Sequence, residues 1–368
     1  MQRIFHILNV TTLIALTVSL ATFAGLHRGI PAAQISTQRT IVVTVDDLPG
    51  AEPGTDHAAS DLKQLQRINR TIPAILKAHH VPAIGFVNEW KLQIPGERDA
   101  RAALLADWLD AGLTLGNHTY SHPDFQITPL AQFEDDTIRG EVVTRALMIS
   151  RGQTEKYFRH PFLDTGPTPE AKAAFEAFLK ERGYEVAPVT FDCADWMFND
   201  ILGHALEKKD KKLAEKTKME YLEYMDTVFT YFEGLTRNLF GRDIPQILLT
   251  HDSELNTETF DALLTRIEQR GYKFIPLEEA LADLAYSTPD KYISSEGISW
   301  LNRWKLAFGQ PTDAQYNPDP PKWVMQMSAA IRKEHKKQSA PAKYQSAPGF
   351  SCDGLRDRFF PFSLSLQN

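Results

Sequence analysis

The chain predicts an α/β fold: a mainly parallel sheet with helices packed outside it, as an open sheet or a barrel. Three observations carry this. Short β-branched runs alternate along the chain with stretches whose apolar residues recur at threes and fours. Glycines such as Gly112 and Gly183 close helical stretches just before the next strand. Polar, chemistry-bearing residues recur immediately after the strands, and in parallel α/β folds those strand ends open on one mouth.

The first strand covers residues 40–45 and stops at the adjacent carboxylates Asp46 and Asp47. Residues 61–79 read as a helix on the spacing of Leu62, Leu65, Ile68, Ile72 and Ile75, with Pro73 expected to kink or divide it. Residues 82–88 form a second strand and 100–111 a helix. LTLGNHTYSH follows as a third strand with chemistry at its end. The rhythm continues with a helix over 129–149, a strand over 156–159, a helix over 169–182 and a strand over 184–190. Residues 198–243 change to a long helical insertion in which Lys208, Lys209, Lys211 and Lys212 read as solvated surface. A buried strand over 246–250, a helix over 257–270, a strand over 272–275 and a helix over 277–284 complete the domain, which spans 40–287. Beyond Ser287 periodicity fades, so 288–368 read as an irregular extension. It can wrap the barrel, extend a substrate groove or be partly disordered. Its Trp300, Trp304 and Trp323 suit either sugar stacking or core anchoring.

A formal net charge of -7 without a basic stripe argues against nucleic acid as a partner. Arg3 precedes a long apolar run, so residues 1–33 read as a targeting segment, either a signal peptide cleaved after Ala24 or nearer Ala33, or a retained N-terminal anchor. Either way the remainder is exported, periplasmic or extracellular, with membrane attachment only through such an anchor. Cys193 and Cys352 are the two cysteines, free to pair in an oxidising compartment or to stay as thiols.

Asp46 and Asp47 at one strand end repel each other unless a cation offsets them. In NHTYSHPD, a spacing of four puts His118 and His122 on one side of a helical turn, flanking Ser121. Two histidines and one Asp make a facial set that leaves positions open for water and substrate. Zinc is the default divalent ion for such donors, and cobalt, nickel, manganese and iron are compatible with them. Arg159, in FRHPF, is placed to grip a carboxylate in a bidentate fork, while His160 beside it reads as a surface or packing residue. Asp192, Asp195 and Trp196 follow the next strand. His251 ends another as a candidate proton donor, with Asp195 as the carboxylate that would fix its tautomer.

Five segments, TVDD (44–47), HTYSH (118–122), RHPF (159–162), DCADW (192–196) and ILLTH (247–251), resemble in order the five motifs of the NodB-homology polysaccharide deacetylases, carbohydrate esterase family 4. The resemblance implies a distorted (β/α) barrel that removes N-acetyl groups from amino-sugar polymers or O-acetyl groups from xylan. It implies one divalent metal on Asp47, His118 and His122, with Asp46 as catalytic base oriented by Arg159. His251, supported by Asp195, would be the acid. Trp196 and Leu249 would line the acetyl pocket, and the Phe162 N–H would face the oxyanion. Phe162 stands where the family commonly has Tyr, which removes one hydroxyl contact. Leu48 and Pro49 stand where a small residue is usual and are expected to narrow or reshape the mouth. Two alternatives remain: a deacylase for a small amide or lipid-linked sugar, capped by the 198–243 insertion, and a non-catalytic carbohydrate-binding or cell-wall protein.

Overall fold

A computed structural model describes residues 38–54, 61–294, 296–312 and 317–339. The targeting segment, Cys352 and the end of the extension lie outside them. The barrel begins with β1 (Arg39–Leu48), α1 (Leu62–Ala78), β2 (Ile84–Val87), α2 (Arg98–Asp110) and β3 (Thr114–Asn117). It continues with α3 (Leu130–Arg139), α4 (Val142–Ile149), β4 (Tyr157–Phe158), α5 (Pro169–Glu181) and β5 (Glu185–Val186). Helices α6 (Asp195–Lys208) and α7 (Lys211–Phe240) precede β6 (Gln246–His251), α8 (Glu254–Gln269), β7 (Tyr272–Phe274) and α9 (Leu277–Leu281). The extension contributes α10 (Trp300–Trp304) and α11 (Lys322–Ser339).

All strand pairs are parallel, in the order β5-β4-β3-β2-β1-β6, with β7 on the first residues of β1. The chain after β5 then returns to β6. Thr190 and Phe191 donate their N–H groups to the Ile247 carbonyl, and Leu249 donates to the Phe191 carbonyl. That contact joins the two ends of the strand order, so the sheet is a distorted (β/α) barrel and not an open sheet. It also replaces most of the expected 184–190 strand, of which only Glu185–Val186 is regular.

The period of two along β1 sorts its side chains. Val42 packs inside with Phe86, Tyr157 and Ile247, while Ile41, Val43 and Val45 join the larger core that includes the helices. Thr44 and Asp46 continue the inner column toward the mouth. Helix α1 runs unbroken through Pro73, against expectation. A proline inside a helix costs about 3 kcal/mol, and the buried Leu65, Ile68, Ile72 and Leu76 contribute roughly 1.5–3 kcal/mol each.

The helix expected over 129–149 is two helices, divided at Gly140 and Glu141. The division lets the backbone run against the histidine loop: a Cβ on Gly140 would lie 2.5 Å from the Thr119 carbonyl carbon and 2.6 Å from the Tyr120 nitrogen. Gly140→Ala is therefore expected to lower unfolding free energy by about 1–3 kcal/mol, as overpacking does, read from urea melts.

Lys208, Lys209, Lys211 and Lys212 are exposed, as expected. The helical stretch starts earlier than expected, at Asp195, so Asp195 and Trp196 occupy its first turn. The extension is irregular among the described residues except for α10 and α11. Trp300 and Trp304 are core anchors, and Trp323 donates from Nε1 to Glu220 at 2.6 Å while Lys216 lies over its ring. No helix among the described residues is long and apolar enough to cross a membrane.

Candidate active site

Neighbouring side chains on a regular strand diverge, so Asp46 and Asp47 need a local departure to share one mouth. It is present twice over. The β1–β2 register shifts between Val45 and Leu48, and Asp47 adopts a left-handed φ of 70°. Such a φ is unfavourable for a non-glycine residue and concentrates at functional sites. Lys91, buried just after β2, donates from Nζ to the Asp47 carbonyl at 2.9 Å, and its Nζ lies 3.8 Å from Asp47 Oδ1. Leu48 does not narrow the mouth. It is fully buried against Gly85, and the cavity edge is formed further on by Ala51 and Glu52.

His118 and His122 converge through a loop and not through the expected helical turn. Thr119 and His122 have φ values of 67° and 57°. Asn117 accepts the Thr119 N–H at 2.7 Å, and Asn88 donates to the His118 carbonyl at 2.7 Å. Both imidazole Nε2 atoms lie 3.7 Å from Asp47 Oδ1, and the three potential ligand atoms fall within 4.8 Å of one another. The Nδ1 of His118 meets the Arg159 carbonyl at 2.8 Å. A carbonyl only accepts, so Nδ1 carries the proton and Nε2 presents its lone pair to Asp47 and His122. This donor set fits a divalent ion that takes nitrogen and oxygen ligands.

Arg159 is fully buried and holds Asp46 through one contact, Nη1 to Oδ2 at 3.3 Å. Its Nη2 goes to Thr44 Oγ1 at 3.0 Å and its Nε to the Ala187 carbonyl at 2.9 Å, so the expected bidentate fork is absent. The other carboxylate oxygen of Asp46, Oδ1, is buried with no hydrogen-bond partner among the described residues. Burial raises the Asp46 carboxyl to about 6, with Arg159 and His251 opposing. Burial also works against the Asp47 charge, but Lys91, His122, His251 and His118 outweigh it and hold Asp47 far below the usual carboxylate range. Burial and the neighbouring His122 push His118 well down, toward the neutral form.

His251 stands directly opposite Asp46 in the β1–β6 register. Asp195 takes both its Nδ1, at 2.7 Å, and its backbone N–H, at 2.9 Å. Burial disfavours the imidazolium, yet Asp195, Asp47 and Asp46 outweigh that and raise His251 to about 10. A buried carboxylate and a partly buried imidazolium with separated proton affinities thus face each other beside the Asp-His-His set.

These groups open on a cavity of about 420 Å³ walled in part by Trp196, Leu249 and Cys193. Phe162 forms its rim, half exposed, with φ 55° and its ring edge-on to His122 at 4.5 Å. Asp192 also lines the cavity, its Oδ2 accepting from Asn317 at 2.6 Å. His160 is buried against Phe158 and Phe175 and borders the same cavity, so of the two readings it is the packing residue. Cys193 is buried and has no disulfide partner among the described residues. The sequence reading missed Asn88, Lys91, Asn199 and Arg332. The first two follow the strand GFV in NEWKL, the same position that singled out the other candidates.

A family model described as polysaccharide deacetylase matches residues 33–186. Curated proteins give no match. Similar solved structures include a CE4 family pseudoenzyme from Bacillus anthracis, 18% identical over 66% of this chain and 66% of that one, with TM-score 0.41. They also include a family 4 carbohydrate esterase from Streptomyces lividans in complex with acetate, 17% identical over 67% and 97% of the two chains, TM-score 0.40. A peptidoglycan deacetylase from Bacillus subtilis is 17% identical over 66% and 91%, TM-score 0.39. The matched span holds the first three motifs, and the last two follow it at the strand ends that close the barrel, so over these segments the chain is similar to the NodB-homology polysaccharide deacetylases, carbohydrate esterase family 4.

Proposed function

We propose that the protein is an exported, metal-dependent deacetylase acting on an N- or O-acetylated carbohydrate, with an N-acetylated amino sugar as the first candidate. The observation that carries this is Asp46 and His251 paired in register beside Asp47, His118 and His122. A divalent ion on those three ligands, zinc by default, supplies electrophilic activation of the acyl carbonyl and of a water. Asp46 takes the proton of the attacking water on its unpartnered Oδ1 while Arg159 holds the opposite oxygen. The Phe162 N–H faces charge developing on the carbonyl oxygen, a contact worth roughly 3 kcal/mol in comparable sites. Trp196 and Leu249 enclose the acetyl methyl. Asp195 keeps His251 protonated on Nδ1, so Nε2 delivers a proton to the departing nitrogen or oxygen. Acetate and a free amino or hydroxyl sugar result.

The raised proton affinity of His251 favours an amide substrate, because an amine leaves only when protonated. His251→Ala is expected to lower kcat on N-acetyl sugars by about 10²–10⁴-fold, and to affect activated aryl acetates far less. Equal losses on both would count against the acid role. The contacts of Asp46 with Arg159 and of His251 with Asp195 support this reading over the non-catalytic one.

The direct test is acetate release by the metal-loaded protein on N-acetylglucosamine oligomers, peptidoglycan and acetylated xylan. Release that a chelator abolishes and added metal restores would support the reading. Silence on all three, with stoichiometric metal and an intact fold, would overturn it.

A further inference from the structure

We infer that α11 is a wall of the acyl site, and that the site takes a short acylated sugar of one or two units, or a chain end, in preference to the interior of a long polymer. This rests on the deacetylase reading and deepens it.

Asp200, on α6 and almost fully buried, is the joint. Its Oδ2 accepts from Ser328 Oγ at 2.6 Å and Arg332 Nε at 2.7 Å, both on α11. Its Oδ1 accepts the N–H of Gly54, in the loop that leaves β1, at 2.5 Å. One carboxylate therefore ties α6, α11 and the loop after Asp46 and Asp47 together. Arg332 also lies over the Trp196 ring, 4.3 Å from its centroid, and borders the cavity itself. Val324 and Ile331 seat the apolar side of α11 in the main core.

The extension reaches a second side of the cavity ahead of α11. Arg303 of α10 is buried and donates to the Leu163 carbonyl and to Thr165 Oγ1. Gly297 abuts the Phe162 carbonyl so closely that a Cβ there would collide with it. The same stretch of chain thus braces the Phe162 rim and the Trp196 wall. A polymer bound through its interior needs a groove that continues past the acyl site in both directions. A cavity of about 420 Å³ bordered by Arg332 and Gly297 lies instead in the range of small-molecule pockets, roughly 300–1,000 Å³.

The test is kcat/KM for acetate release from N-acetylglucosamine oligomers of increasing length, compared between the wild-type full chain, Arg332→Ala and Arg332→Lys. An aryl acetate serves as a length-independent report on the chemistry. The wild type is expected to favour the short oligomers. Arg332→Ala is expected to shift the short-to-long ratio toward the long ones by about tenfold, the discrimination one pocket contact supplies, chiefly through KM. Arg332→Lys keeps the charge but not the planar fork or the stack on Trp196, and should shift the ratio in the same direction. Wild-type kcat/KM that rises with length would overturn the proposal, as would a ratio unmoved in a folded Arg332 variant. Should Arg332→Ala fail to fold, the wild-type length series and Arg332→Lys decide. Absence of hydrolysis on every substrate, aryl acetate included, would instead strike the deacetylase reading.

Discussion

Asp46→Asn leaves the metal bound and lowers kcat by about 10²–10⁴-fold, the contribution of a positioned general base. The substitution keeps the shape of the side chain and an oxygen for Arg159 Nη1, and removes the group that accepts the proton. It also relieves the repulsion between Asp46 and the neighbouring Asp47, whose charge raises the proton affinity of Asp46. Loss of the counter-charge to the buried Arg159 acts the other way. Metal stoichiometry and thermal melts on the same preparation separate a dead base from a broken site. Metal lost in Asp46→Asn and kept in Asp47→Asn would reverse the two roles. The pH profile checks the same assignment. The base works ionised, so kcat/KM rises as pH climbs through the Asp46 value, about 6. The acid works protonated, so activity falls as pH climbs through the His251 value, about 10. A bound divalent cation favours the carboxylate and opposes the imidazolium, so loading metal moves both limbs to lower pH. Asp46→Asn should erase the acidic limb and leave the alkaline one.

His122→Ala and His118→Ala should each lose the metal and, with it, several kcal/mol of transition-state stabilisation, roughly 10³-fold in kcat/KM. The two differ in what else they disturb. His118 is buried and bonded to the Arg159 carbonyl, so its removal also strips a partner from the strand end that carries the arginine. His122 is only partly buried and its ring meets Phe162 at the rim, which makes His122→Ala the cleaner test. Metal content falling from one ion per chain toward zero, with an unchanged far-ultraviolet spectrum, is the expected result. A His122→Ala protein that keeps stoichiometric metal and full turnover would show that the Asp-His-His set is not the metal site.

Much of the site could be read in advance because its residues sit at positions that local pattern identifies. Asp46, Asp47, His118, His122, Arg159, Asp195 and His251 each fall within a few residues of the end of a β-branched or apolar strand. A parallel sheet brings such ends to one mouth whatever the chain does between them. Lys91 and Asn88 occupy the same kind of position and were passed over because their strand end lacked a histidine or a carboxylate pair. Sequence order alone puts Leu48 next to the acidic pair, whereas the left-handed Asp47 turns the chain and sends Leu48 into the core.

The order of strands and helices, the α/β class and the polar residues at the strand ends all follow from short-range periodicity and local residue type. Three features arise only from long-range packing of the chain. That packing closed the sheet into a barrel through Phe191 and Leu248, and it gave Arg159 a single contact to Asp46 by spending its other nitrogens on Thr44 and Ala187. It also drew α11 onto the site. Val324, Met327 and Ile331 give that helix an apolar face, but what aims it at the site is polar: Ser328 and Arg332 reach Asp200 from 128 and 132 residues away. A hydrogen bond between side chains so distant in sequence leaves no trace in the local pattern of either segment, and only the fold that pairs them reveals it.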